Sequence, residues 1–126
     1  MSTERPRLPK SFLRPCLLLL LREQPAHGYE LLERLPPLGL TRDDPGGLYR
    51  ALRALERDGL VRSGWEPSSS GPDRRRYELT RAGVEELHRQ AKALAVSRDL
   101  LDVFLSRYGE FVTLPRKTAA ALSARR

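Results

Sequence analysis

Arginines at positions 50, 53 and 57 recur at three- and four-residue intervals within DPGGLYRALRALERDG, residues 44–59, and three more stand together as Arg74, Arg75 and Arg76. A guanidinium is planar, permanently charged and carries five N–H donors in a fixed fork, so it pairs with phosphate oxygens or with the O6/N7 edge of guanine. That chemistry recognises a polyanion and makes no bonds. Little else in the chain offers a reactive set. His27 and His88 are far apart, Cys16 lies inside a leucine run, no Cys/His cluster has metal-site spacing, and Gly46 and Gly47 lack the surroundings of a phosphate loop. No catalytic residue, cofactor or metal is therefore expected, and the chain reads as a non-enzyme.

The first arginine set needs a helix to align it. Asp44 suits an N-cap, Pro45 suits the first helical position because its missing N–H would be unpaired there, and Gly59 supplies the stop. At about 100° per residue, Leu48, Leu52 and Leu55 fall on one stripe with Ala51 beside them. Gly46, Arg50, Arg53 and Arg57 gather on nearly the opposite side, with Tyr49 at the flank. One face is made to be buried. The other can lie in a DNA major groove, and Gly46 and Gly47 carry no side chain that would hold a second surface away. A surface helix whose arginines are only solvated has the same pattern, so its neighbours must decide.

Before it, a leucine-rich helix opens at Ser11 or Arg14 and runs through CLLLLLRE to about Gln24, with Pro15 tolerated in its first turn. Leucine all round implies burial on more than one side, with a second element or subunit completing the cover. HGYELLERL, from about His27 to Leu35, reads as a short second helix with Tyr29, Leu32 and Leu35 inward, ended by Pro36, Pro37 and Gly39. His27 is expected to start this helix or pack beside it. Two short helices, the second basic on its outer face, form a helix-turn-helix.

After Gly59, LVRSGWE and RRRYEL alternate as two strands around PSSSGPD. A lone hairpin is barely stable, so it must pack on the helices through Val61, Tyr77 and Leu79, with Trp65 capping an edge. Arg74 to Arg76 then project beside the basic helix, which makes this the winged form of the motif. From Arg81 to about Tyr108 a long helix carries Val84, Leu87, Ala91, Leu94, Leu101, Leu105 and Tyr108 in heptad spacing, with a second stripe of Val96, Leu100, Val103 and Phe104 in its latter half. A domain this small cannot cover two apolar stripes, so the helix is expected to dimerise.

The expected architecture is mainly α with a small β-hairpin. A flexible basic arm (1–10) precedes a winged helix-turn-helix (11–80), a dimerisation helix (81–108) and a basic tail (109–126). The net charge of +7 comes from the ends: residues 1–14 and 116–126 hold the surplus, and the intervening stretch balances 15 bases against 15 acids. Charge alone therefore says little about the body of the domain. One cysteine excludes an internal disulfide, no signal peptide is evident, and Cys16–Leu21 is too short to span a bilayer, which suggests a cytoplasmic protein.

In sequence the chain resembles the PadR-like family of bacterial transcriptional regulators, through HGYELLERL, GGLYRALRALERDGLV and RRRYELTRAGVEEL in that order over about Phe12 to Leu87. The resemblance implies a homodimeric repressor that binds a palindromic operator in double-stranded DNA and is released by a small-molecule effector. It also implies that Gly47, Leu48 and Tyr49 begin the recognition helix, with Tyr49 on the DNA backbone, and that Arg74 to Arg76 form the basic wing before Tyr77. Arg50 stands where proline is common in the family. Some members line an aromatic-binding pore with a tryptophan of the terminal helix, and this chain has no tryptophan after Trp65. The DNA-binding set is thus Gly46, Gly47, Tyr49, Arg50, Arg53, Arg74, Arg75 and Arg76. The dimerisation set is Val84, Leu87, Ala91, Leu94, Leu101, Phe104, Leu105 and Tyr108. The alternative is a winged-helix module that binds another protein and no operator.

Overall fold

The structure, a computed structural model, describes residues 11–115. The expected arm (1–10) and residues 116–126 of the expected tail lie outside the described residues. The chain forms two compact units, one ending at Ala91 and the other beginning at Lys92.

In the first unit, α1 (Leu13–Glu23) holds the leucine run and stops at Gln24, whose extended backbone is what the following Pro25 demands. Cys16, Leu17, Leu18, Leu20 and Leu21 are all buried, and only Leu19 of the run is exposed. Of the two expected covers for α1, a second element or a subunit, elements of the same unit supply it. Its cover comes from one core shared with Leu31, Leu35, Leu48, Leu52, Leu55, Val61 and Tyr77. Burial raises the Cys16 thiol to about 11, which leaves it protonated and inert at neutral pH.

The short α2 (Gly28–Glu33) begins after His27, whose backbone N–H donates to the Glu30 carboxylate at 2.8 Å. Leu31 and Leu35 face inward, but Tyr29 is exposed, contrary to expectation. Two residues from Leu31 is about 200° around a helix, so the two side chains cannot share a face. A 3-10 turn at Pro36–Leu38 ends at Gly39, where φ is +87°. Helix α3 (Pro45–Arg57) forms as its caps predict. The Asp44 carboxylate accepts the Gly47 N–H at 2.9 Å, and Leu48, Leu52 and Leu55 are its buried residues.

Strands β2 (Val61–Glu66) and β3 (Arg74–Leu79) pair antiparallel from Val61 opposite Leu79 to Glu66 opposite Arg74. A two-residue strand, β1 (Ala26–His27), pairs with the free side of β3, placing Ala26 opposite Tyr77 and His27 opposite Arg76. The expected hairpin is thus a three-stranded sheet with β3 central. Val61 and Tyr77 are buried and Leu79 packs on the core, whereas Trp65 is 65% exposed and lies outside that core.

Helix α4 (Arg81–Tyr108) is continuous for 28 residues. Thr80 fixes its start: the hydroxyl accepts the Gly83 N–H at 3.1 Å and donates to the Gly59 carbonyl at 2.7 Å. Leu87, expected at a subunit interface, packs partly on the core of the first unit. In the second unit Val96, Leu100, Leu101, Val103, Phe104, Leu105 and Tyr108 are all exposed. The Phe104 and Tyr108 rings stack at 6.3 Å, and a groove of about 420 Å³ runs between Leu100, Phe104, Tyr108 and Phe111. Among the described residues no helix is long and apolar enough to cross a membrane.

Candidate nucleic-acid interface

On α3 the buried leucine stripe dictates what faces out. Gly46, Tyr49, Arg50, Arg53 and Arg57 are exposed and Gly47 is half-buried. Among the described residues, Arg50 and Arg53 form no ion pair, so their charge is uncompensated at short range. Tyr49 lies back over Gly28, close enough that a β-carbon there would sit 2.4 Å from the ring. This contact holds the first turn of α3 against the first turn of α2. Neither residue signals it in sequence.

The three wing arginines do not act as one cluster, because successive residues of a strand point to opposite faces. Arg75 shares a face with Tyr77 and lies across the ladder from Trp65, its guanidinium 4.7 Å from the ring centroid. Arg74 projects the other way, donating to the Tyr29 hydroxyl at 2.9 Å and lying 5.1 Å from that ring's centroid. Arg76 stands 3.6 Å from the Glu66 carboxylate, which also lies 3.7 Å from His27 Nε2. Its charge is therefore shared with an acid, unlike that of Arg74 and Arg75, which form no ion pair among the described residues.

Tyr77 joins the helix to the wing. Burial pushes its phenol up, the Arg75 charge opposes this, and Glu56, Tyr49 and Arg53 also lie within electrostatic range. Arg53 of α3 and Arg75 of β3 thus act on the same hydroxyl from two elements. Sequence reasoning missed Tyr29, Glu56 and Ser63, the polar and aromatic partners that hold the wing side chains. Among the described residues no group of three or more His, Cys, Asp and Glu could hold a metal ion.

Residues 17–89 match the family model of the transcriptional regulator PadR-like family. The chain belongs to that family. Several solved structures are similar. A PadR family transcriptional regulator of Eggerthella lenta is 32% identical, with a TM-score of 0.66 over 74% of this chain and 80% of its own. A PadR-like transcriptional regulator of Bacillus cereus is 27% identical, with a TM-score of 0.68 over 76% and 93%. A proposed transcriptional regulator of Thermoplasma acidophilum is 29% identical, with a TM-score of 0.65 over 75% and 90%. No match was found among curated proteins. The PadR-like model spans α1 to the first turns of α4, so the basic helix and the wing both lie inside it. As a PadR-like regulator the chain is a DNA-binding transcriptional regulator with the winged-helix fold.

Proposed function

We propose that this PadR-like regulator is a homodimeric repressor that grips a palindromic operator with α3 in the major groove and the wing on the flanking backbone. The observation that carries the reading is that Arg50 and Arg53 stand exposed and, among the described residues, without an ion pair on the face of α3 away from its buried leucines. Arg50 and Gly46 lie nearest the base-reading end, Gly47 and Tyr49 support the approach, and Arg75 and Arg74 reach phosphate from the wing. Arg76, paired with Glu66, contributes less.

Dimerisation falls to α4. Burying one Leu or Phe side chain is worth about 1.5–3 kcal/mol, so the exposed run from Val96 to Tyr108 favours a second copy strongly. Two related copies would set half-sites about one helical turn of DNA apart. A small-molecule effector that releases the operator is part of the same reading. The fold supports a cytoplasmic role, and no enzymatic activity is assigned.

The test is fluorescence anisotropy with a labelled duplex from upstream of the protein's own gene, with operator and spacing supplied by genomic binding-site sequencing. Arg53→Ala is expected to weaken binding about tenfold or more, whereas Arg57→Ala, at the helix C-terminus, changes it little. Equal losses for the two variants would count against α3 as the reading element. Absence of retardation at low salt, with a protein recovered as partner, would favour the protein-binding alternative.

A further inference from the structure

Glu56, Ser63 and Arg75 form a continuous chain of hydrogen bonds from α3 to the wing. The Glu56 carboxylate accepts the Ser63 N–H at 3.1 Å and the Ser63 hydroxyl at 2.7 Å. A hydroxyl has one proton, so with that proton given to Glu56 its lone pairs remain for a donor. Arg75 supplies the donor at 2.5 Å through one terminal nitrogen. The same guanidinium rests over the Trp65 ring, its partner across the ladder.

These contacts fix the plane and one edge of the guanidinium and leave its other donors unpaired among the described residues. An acid beside a surface that meets phosphate weakens binding by repulsion, a cost that only another contribution to binding can offset. Glu56, half-buried in the last turns of α3, makes one: it orders Ser63, and Ser63 orders Arg75. An arginine on a free hairpin would lose rotamer freedom on meeting phosphate, whereas one held in place has lost it already.

We infer that Glu56 and Ser63 are positioning residues for DNA binding, which aim Arg75 from the recognition helix, with Trp65 as the platform on which the guanidinium lies. Neither positioning residue contacts DNA itself. The inference rests on the DNA-binding reading above and adds how the wing is set relative to α3.

A double-mutant cycle tests it, using the full chain, the labelled upstream duplex and a salt series, with thermal melts alongside. Ser63→Ala is expected to lower affinity about fivefold, the size of one net hydrogen bond. In an Arg75→Ala background the same change should alter affinity less than about twofold, because the group it aims is gone. Glu56→Ala, which removes the acceptor that Gln would keep, should lower affinity in the native background and not in the Arg75→Ala background, where only relief of charge repulsion remains, and Ser63→Thr, which keeps the hydroxyl, should restore binding. Arg75→Ala alone should reduce the slope of log affinity against log salt by about one.

Equal losses for Ser63→Ala in both backgrounds, or undiminished binding in the native background, would overturn the positioning role. A native protein that fails to bind the duplex at low salt would instead overturn the DNA-binding reading. Binding by the native protein that is insensitive to Ser63 removes only the inference made here.

Discussion

Gly28 and Tyr49 touch so closely that a β-carbon on Gly28 would lie 2.4 Å from Cε1 of the ring and 2.7 Å from its hydroxyl oxygen. The contact sets how the first turn of α3 meets the first turn of α2, and with it the presentation of Arg50 and Arg53. Gly28→Ala must turn the ring outward, which is possible because Tyr49 is already 37% exposed. The expected cost is therefore near the low end for overpacking, about 1 kcal/mol, read as a melting temperature lower by several degrees. Repeating the substitution in a Tyr49→Ala background should abolish the cost. A loss that persists without the ring would show that something other than Tyr49 is displaced.

Gly83→Ala should be worse. A β-carbon there would stand 2.1 Å from the Leu60 carbonyl oxygen, a backbone atom that also accepts the Thr80 N–H, and it cannot swing aside. We expect about 3 kcal/mol or more, because the start of α4 must shift as a body. Urea titration of the two glycine variants gives the order directly. Gly28→Ala coming out the more damaging would reverse the account of both sites.

Acid should remove a defined part of the stability. The Glu30 carboxyl is held below the ordinary carboxylate range chiefly by the His27 backbone N–H, with the His27 ring and Arg34 adding to it against a desolvation cost. Its folded pKa is below its unfolded value of 4.5, so the folded state binds fewer protons in that window. The contribution is complete above the unfolded pKa and is lost as pH falls through the folded one. Glu30→Gln should therefore be destabilised at pH 7, and the gap from the native protein should narrow below about pH 4. A gap independent of pH would assign the effect to packing.

Phe104→Asp should separate the subunits. Phe104 is 65% exposed, stacks on Tyr108 and lines the apolar groove of the second unit, so a carboxylate there would be buried unpaired in any dimer that uses this face. Light scattering at micromolar concentration is expected to give twice the 14.3 kDa chain mass for the native protein and a single chain mass for the variant. A native protein that scatters as a monomer would refute dimerisation through α4.

The sequence was most legible where one period ran long enough to declare itself. Helix α3 carries its leucines at i, i+4 and i+7 between an Asp-Pro start and a glycine stop, and it folds within those bounds. The long apolar pattern of α4 likewise gives one helix. Tyr29 was misplaced because six residues of α2 are too few to fix which side faces inward. Strand β1 was missed because two residues, Ala26 and His27, have no alternation to read. The wing arginines looked like one patch in sequence, yet the ladder sends Arg75 toward Trp65 and Arg76 toward Glu66. Pairings of that kind depend on strand register and on side chains from distant elements, and neither is written in local spacing.

The two backbone pairings of β1 tie the corner between α1 and α2 to the middle of β3. A hairpin joined to its domain only at its base could flap independently, but this one is buttoned down beside Arg76 and Tyr77. Any displacement of the wing must drag the entrance of the helix-turn-helix along with it. The sheet and the start of α2 are therefore coupled through the backbone, so neither shifts without straining the other.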